Sequence, residues 1–434
     1  MSGLIIAAPS SSSGKTTVTL ALLRALSRRG QAVSPIKIGP DYIDPGFHAA
    51  ACGADCWNLD AWALGSAAYV DVIRRSEARG TLVVAEGVMG LFDGATLDEG
   101  ATADVAASTG WPVILVVDAS GMAASIAALV HGFATFRPDV RIGGVIANKI
   151  GSSRHRAILS EALERIDIPL LGALPRDPEL ALPSRHLGLV LAGEREGLEK
   201  FLDTAANALE SHVDVNALRQ IAAPSRDQVS ARAITIAPIG QRIAIARDEA
   251  FAFVYARTMT IWREQGAELM MFSPLLDEAP DPQADAVYLP GGYPELHAGR
   301  LAANQRFMQG VRAAAARQAF VFGECGGYMA LGRALTDADG VAHEMANLLP
   351  VHTSFAERGL TLGYRRATLL RDTPLGRVSD VWRGHEFHFS KVVSEDSDDR
   401  LFAAEDARGN MLGSQGLVRQ SVAGSYLHLI DRER

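Results

Sequence analysis

The sequence predicts an α/β protein of two domains, and three observations carry that expectation. An apolar run from Leu4 to Ala8 passes into Gly14-Lys15-Thr16 and then into a helical pattern, which is the order strand, phosphate loop, helix. Short runs of strand formers then recur at Val33 to Ile38, Leu82 to Ala85, Val113 to Val117, Gly144 to Ala147 and Leu170 to Leu174, as in a mostly parallel, buried sheet. A second set of strands starts at Arg242 and leads to an apolar run that ends on Cys325. The 434 residues exceed one ordinary core, and at roughly 150 residues per domain they suggest about two or three. The weak periodicity from Ser211 to Gln241, with Ala222-Ala223-Pro224-Ser225, reads as a linker, which places the domains at 1–215 and 241–434 with a connection over 216–240.

Composition limits the function. Apolar residues make up 48% of the chain and charged residues 21%, the balance of a folded globular protein rather than a disordered one. The formal charge of −8, with no lysine/arginine block, argues against generic nucleic-acid binding. Three cysteines at 52, 56 and 325 build no disulfide framework and fit a reducing cytoplasm. Cys52 and Cys56 lack the His/Cys partners of a zinc site. The opening apolar run is too short for a signal peptide, and Pro112 to Val117 falls far below a membrane span, so a soluble cytoplasmic protein is expected.

In chain order, the loop Pro9 to Thr17 comes first. Backbone N–H groups there can cradle phosphates, Lys15 can reach the β/γ-phosphates and the Thr16 hydroxyl can ligate Mg²⁺. Pro9 stands where a phosphate loop has its first glycine, so the loop must be entered differently. After the second strand, Lys37-Ile38-Gly39-Pro40-Asp41-Tyr42-Ile43-Asp44-Pro45-Gly46 sets two carboxylates among turn formers, where Asp41 and Asp44 suit Mg²⁺ and Lys37 a phosphate. Solvated carboxylates on a turn would read the same way. Glu86 ends the next strand, where a phosphate-loop ATPase holds its metal-orienting acid. Val88 to Gly94 reads as a substrate-facing loop. Asn148-Lys149 suits either a purine edge or a cap of the next turn. Arg176 and Arg185 suit an anionic ligand or plain solvent.

In the second half, Leu289-Pro290-Gly291-Gly292 can present backbone N–H groups as an oxyanion hole or form a tight turn. Gln318 to Phe322 reads as a strand and Tyr328 to Leu331 as a helix, so Cys325 falls on a strand-to-helix turn relieved by Gly323, Gly326 and Gly327. That is the mechanics of a nucleophile elbow with sulfur in place of hydroxyl. A base must come from His343, His352, His385, His388 or His428. Alternation puts His385, Phe387 and Phe389 on one face of a strand and Glu386 and His388 on the other, and position alone does not choose among the histidines.

Taken in order, the phosphate loop, Lys37 to Pro45, Ala246-Arg247-Asp248-Glu249-Ala250-Phe251, Leu289 to Glu295, Gly323-Glu324-Cys325-Gly326-Gly327 and Gly384-His385-Glu386-Phe387-His388 resemble the cobyrinic acid a,c-diamide synthase family across nearly the whole chain. The resemblance implies an N-terminal ATPase domain similar to dethiobiotin synthetase and a C-terminal class I glutamine amidotransferase domain. It implies ATP at Ser12, Ser13, Gly14, Lys15, Thr16, Thr17 and Asn148, and Mg²⁺ at Thr16, Asp41, Asp44 and Glu86. A polycarboxylate tetrapyrrole would meet Lys37, Tyr42, Arg176 and Arg185. Cys325 becomes the glutaminase nucleophile, His428 its base, and Gly291 and Gly292 the oxyanion hole. The implied reaction is phosphorylation of the a and c carboxylates by ATP, followed by amidation with ammonia from L-glutamine.

One departure stands out. Triad amidotransferases carry His-x-Glu, whereas Ile430 occupies the glutamate position here and Asp431 is out of register. The alanine- and arginine-rich composition points to a GC-rich genome and hence to metal-free hydrogenobyrinic acid as substrate. Cobyrinic acid and a nickel tetrapyrrole stay open, as does a homodimer. The rivals are cobyric acid synthase, which lacks the Lys37 to Pro45 loop, and a regulatory ATPase with an inactive amidotransferase domain, against which stands the absence of a second lysine in Pro9 to Ser13.

Overall fold

The computed structural model describes residues 2–80, 82–182, 184–185, 188–226 and 236–433, with backbone alone at 184, 185, 188 and 189. The chain divides into two compact units, Met1–Trp62 with Ser66–Ala233, and Ala63–Gly65 with Ile234–Arg434.

The first unit is built on the predicted parallel sheet. Strands β1 (Ser2–Ala7), β2 (Val33–Ile38), β3 (Trp57–Leu59), β4 (Leu82–Glu86), β5 (Val113–Asp118), β6 (Ile142–Ile150) and β7 (Leu170–Pro175) take the order β3-β2-β4-β1-β5-β6-β7. The pairs within that path are parallel. Both faces of β1 and β4 are covered, which explains why these strands read as unbroken apolar runs rather than alternating ones. Helix α1 (Lys15–Arg28) follows the phosphate loop and α2 (Asp44–Cys52) follows the Asp41 loop. Both helices start at the carboxyl ends of strands that flank β4, the edge where open α/β sheets bind ligands.

Part of the predicted linker is ordered structure. Asp214 caps a helix at Val215–Ile221 by accepting from the N–H groups of Asn216 and Ala217, and Ala223–Pro224 pairs antiparallel with Ser2 and Gly3 of β1. Proline is tolerated in that two-residue edge strand because no ladder hydrogen bond is demanded of it. Residues 227–235 of the predicted connection lie outside the described residues.

The second unit has a ten-stranded mixed sheet. Its order is Glu268–Phe272, Arg242–Ala246, Ala286–Leu289, Phe320–Glu324, Val422–Ser425, Met411–Arg419, Arg400–Asp406, Thr361–Leu369, Val381–His388, His428–Glu433. The first five strands run parallel to one another. Val422–Ser425 lies fifth in that order and His428–Glu433 tenth, yet only Tyr426 and Leu427 join them. Three Cα steps from Ser425 to His428 span roughly 11 Å at most, so the sheet must coil back on itself. That coiling returns His428 to the neighbourhood of the strand Phe320–Glu324, to which Leu429 N donates at Glu324 Oε1. Among the described residues no helix is long and apolar enough to cross a membrane.

Packing at the elbow is tight enough to test. A methyl on Gly327 would lie 1.8 Å from the carbonyl oxygen of Leu289. Gly327→Ala is therefore expected to destabilise the second unit by about 3 kcal/mol, since forced overpacking displaces backbone. A lowered urea midpoint for its unfolding would show this, and an unchanged midpoint would mean that the short helix yields freely.

Candidate active sites

The phosphate loop is shaped by positive φ at Ser12 (64°) and Gly14 (96°). Glycine is required at 14 twice over, because a Cβ there would also stand 2.1 Å from Nδ2 of Asn148. Ser13 Oγ donates to Ser10 O at 2.9 Å, and Asn148 Nδ2 donates to Ser13 O at 3.0 Å. The asparagine at the end of β6 thus braces the loop. Lys15 Nζ donates to the Met89 carbonyl at 2.5 Å, and burial pulls its pKa down. Thr17 Oγ1 donates to Leu180 O at 3.3 Å, which turns that hydroxyl away from the loop.

Glu86 is the centre of this site. Its side chain is fully buried and accepts from Thr16 Oγ1 (2.6 Å) and Lys37 Nζ (3.0 Å) at Oε1, and from His48 Nε2 (2.6 Å) at Oε2. Burial alone would favour its neutral acid, but Lys37 and His48 overrule it and hold the carboxylate well below the ordinary range. Lys37 also donates to Asp44 Oδ2 at 2.5 Å. Burial opposes its charge too, and Asp44 and Glu86 overrule it upward. Asp44 is pushed up to about 6 by burial and then by Asp41, with Lys37 pulling the other way.

This arrangement alters two expectations. Lys37, expected to meet an anionic substrate, is here 2% exposed and paired with Asp44 and Glu86. The three carboxylates do not converge on a common point. Asp41 Oδ1 accepts the N–H groups of Ile43 (2.8 Å) and Asp44 (3.0 Å), bracing the start of α2, while Lys37 occupies the space between Asp44 and Glu86. Among the described residues no group of three or more His, Cys, Asp or Glu side chains has the spacing to hold a metal ion. Thr16 and Glu86 are the two candidate ligands brought together directly. Tyr42 is buried, Arg176 is exposed, and the side chain of Arg185 lies outside the described residues.

Sequence reasoning missed His48 and the Asp118–Lys149 pair. Asp44 and His48 stand four apart at the start of a helix, which puts them on one face, and that spacing was the available signal. Lys149 Nζ donates to Asp118 Oδ2 (2.6 Å) and Ser12 O (3.3 Å), tying the ends of β5 and β6 to the loop.

In the second unit, Cys325 has φ 46° and ψ −101° between the strand Phe320–Glu324 and the helix Gly326–Leu331. A non-glycine residue in such backbone is strained, and strain of this kind gathers at functional turns. The Cys325 N–H donates to Ser425 O at 2.8 Å, fastening the elbow to the strand before His428. The thiol is buried, and burial followed by the charge of Glu295 pushes its pKa up, so it rests protonated. Gly291 gives its carbonyl to Phe253 N (2.9 Å), and a Cβ on it would meet His428 Cε1 at 2.3 Å. Gly292 N lies 3.1 Å from where a Cβ on Gly326 would stand, which sets this N–H against the turn after the nucleophile. His428 is fully buried, and burial, with His385 and His388 beyond, pulls its pKa down to about 3.

The histidines left open by sequence separate here. His388 has both ring nitrogens engaged, Nε2 with Glu386 Oε1 at 3.0 Å and Nδ1 with Ser390 O at 3.0 Å, and its ring stacks on Tyr426. Arg365 Nε donates to Glu386 at 2.7 Å and completes that buried network. His385 faces His428 across the strand pair, with Tyr364 and Phe387 against its ring.

Comparison with known proteins agrees with both halves. Residues 4–190 match the CobQ/CobB/MinD/ParA nucleotide binding domain, and residues 242–434 match the CobB/CobQ-like glutamine amidotransferase domain. A protein of Brucella anthropi named hydrogenobyrinate a,c-diamide synthase is 54% identical over 433 residues, covering 99% of each chain. Proteins of the same name from Rhizobium meliloti (52%, 99% of each chain) and Mesorhizobium japonicum (48%, 99% of this chain and 98% of the other) align equally completely. With both domain models matched and relatives aligned from end to end, the chain belongs to the hydrogenobyrinate a,c-diamide synthase family.

Proposed function

We propose that this protein amidates the a and c carboxylates of hydrogenobyrinic acid, using ATP to activate each carboxylate and glutamine as the ammonia source. The observation that carries this reading is the presence in one chain of a phosphate loop braced on the Thr16–Glu86 contact and a thiol elbow at Cys325. Either site alone would fit many reactions, and together they fit a ligase that needs both an activated acyl group and nitrogen.

A carboxylate resists attack by ammonia until its oxygen becomes a leaving group. Transfer of the γ-phosphoryl group to that oxygen gives an acyl phosphate and ADP. Ammonia then forms the C–N bond as phosphate leaves. In this reading the N–H groups at Ser12 to Gly14 and Lys15 Nζ hold the phosphates, with Lys15 exchanging the Met89 carbonyl for a phosphate oxygen. Thr16 and Glu86 fit Mg²⁺, a hard cation that takes one or two protein oxygens and completes its shell with phosphate and water. When bound, the ion offsets charge on the transferring phosphoryl group. Asp41 and Asp44 act from the next position, through Lys37 and the loop backbone. Arg176 is exposed and free to meet substrate carboxylates.

At Cys325, the thiol gives its proton to His428 as sulfur attacks the glutamine carboxamide. The Gly291–Gly292 turn takes the oxyanion, ammonia leaves with the proton, and water hydrolyses the thioester to glutamate.

Cys325→Ser is expected to abolish glutamine-dependent amidation while ammonium salts still support it, with product masses as the readout. Equal loss of both would make the cysteine structural. Glu86→Gln should lower ATP-dependent amidation by about 10²-fold or more and leave glutamine hydrolysis in place, because the acid orients the metal and the threonine. Normal amidation by that variant would remove Glu86 from the site. Offering metal-free and cobalt-containing substrate in parallel tests the macrocycle, and amidation of a substrate already amidated at a and c, with none of the precursor, would sink the proposal.

A further inference from the structure

We propose that Glu324, the residue immediately before the nucleophile, is the acid that positions His428, in place of the glutamate that triad amidotransferases carry two residues after the histidine. The inference rests on the reading that this unit hydrolyses glutamine.

The position normally occupied by that glutamate holds Ile430, which is buried and apolar. Asp431 is turned elsewhere, with Oδ2 accepting from Gly65 N at 3.0 Å. Glu386 is engaged by Arg365 and His388. Glu324 is the carboxylate that approaches the histidine, with Oε2 at 4.0 Å from His428 Nδ1 and both side chains buried. It is held there from two strands. Tyr288 OH donates to Oε2 at 2.6 Å, and Leu429 N donates to Oε1 at 3.1 Å. The second of these ties the carboxylate to the residue next to His428.

The distance is too long for a hydrogen bond and short enough for an ion pair. Contacts of this kind tighten when charge develops during reaction. Proton transfer from Cys325 to His428 creates an imidazolium, and a carboxylate facing Nδ1 fixes the ring so that Nε2 is the atom that receives the proton. Alternation along the strand puts Glu324 on the side of Phe320, Phe322 and Tyr288, a core separate from the one that packs Cys325. The acid therefore reaches the histidine from behind the nucleophile without competing for its space. His385 lies opposite His428 on the neighbouring strand, the charge of His388 also acts on it, and Phe253 packs with ring centroids 6.3 Å apart. Neither histidine supplies a negative charge.

Burial pushes Glu324 up to about 7, with the Tyr288 hydroxyl and the Leu429 N–H working against that rise. The ionised form thus accumulates as pH rises through 7, and glutamine hydrolysis should follow it as an acid limb. The same shift predicts a stability effect of defined sign. An acid whose folded pKa lies above its unfolded value costs stability once pH passes the unfolded value, and the full cost is present above the folded one. Glu324→Gln should therefore raise the unfolding midpoint above pH 7 and leave it unchanged at pH values where both states hold the proton.

The test uses full-length protein. Glu324→Gln is expected to lower kcat for glutamine hydrolysis by about 10²-fold, to remove the acid limb, and to keep ammonia-dependent amidation. Tyr288→Phe removes one donor to the carboxylate, so its acid limb should move to higher pH with amidation from ammonia unchanged. Glutamine hydrolysis at the wild-type rate in Glu324→Gln, or an unmoved limb in Tyr288→Phe, overturns the proposal. If Glu324→Gln fails to fold, the Tyr288→Phe limb decides alone. Wild-type protein that neither hydrolyses glutamine nor is alkylated at Cys325 by an electrophilic glutamine analogue would instead defeat the functional reading beneath it.

Discussion

The buried carboxylate of Glu86 is the interaction on which the ATP-binding unit depends. A lone ionised carboxylate in a protein interior costs several kcal/mol, and it persists only when donors surround it. Here those donors come from three separate elements, Thr16 on α1, Lys37 on β2 and His48 on α2, while Glu86 itself ends β4. The contacts therefore fix the phosphate loop, the Asp41 loop and the central strands relative to each other. Lys37 carries a second duty, since it offsets Asp44 and allows two acids to lie within reach of one ammonium. A cluster of this kind is a poor stabiliser compared with an apolar core of equal volume, and its benefit lies in the charge it keeps ready for phosphate chemistry.

The amidotransferase unit follows the opposite electrostatic rule. Glu324 is raised to about 7, His428 lowered to about 3 and the Cys325 thiol pushed up, each chiefly by burial. Every shift favours the neutral form. A resting thiol and a neutral imidazole exchange a proton without a charge of their own having to be desolvated beforehand, and the imidazolium that forms faces the Glu324 carboxylate. The two units thus use burial differently. In the first, Lys37 and His48 override it at Glu86, whereas in the second it governs at Cys325 and His428.

How far sequence reveals such a molecule depends on the range of the interaction. The strand, loop and helix at Leu4 to Leu26 were legible because the signal is local, and so was the Cys325 elbow, whose glycines are demanded by close backbone approaches at Gly323 and Gly327. The pairing of Lys37 was hidden for a long-range reason. A lysine in a turn-rich loop looks solvent-facing until Glu86, 49 residues later, is laid beside it by the pairing of β2 with β4. Order within the expected connection was not legible, because Ala223–Pro224 has no strand character of its own and takes its place by pairing with Ser2 and Gly3 of β1. Choosing His428 over His388 likewise needed the sheet to coil, since the distinguishing feature is that His388 is fully engaged with Glu386 and Ser390.

The missing glutamate illustrates why motif spacing and chemical role need not coincide. A His-x-Glu pattern on one strand puts acid and base on the same face by period-two alternation, so the acid is specified locally. In this chain the residue in that place packs as an apolar side chain, and the acid comes from a neighbouring sequence motif on another strand. Such a substitution is permitted because Leu429 N binds Glu324, which couples the two strands at the point where the histidine emerges. The carboxylate then sits one residue from the nucleophile in sequence but on the opposite side of the strand. That adjacency is workable because alternation sends neighbouring side chains to opposite faces, and the strained φ at Cys325 then turns the chain into the elbow while the acid stays anchored behind it.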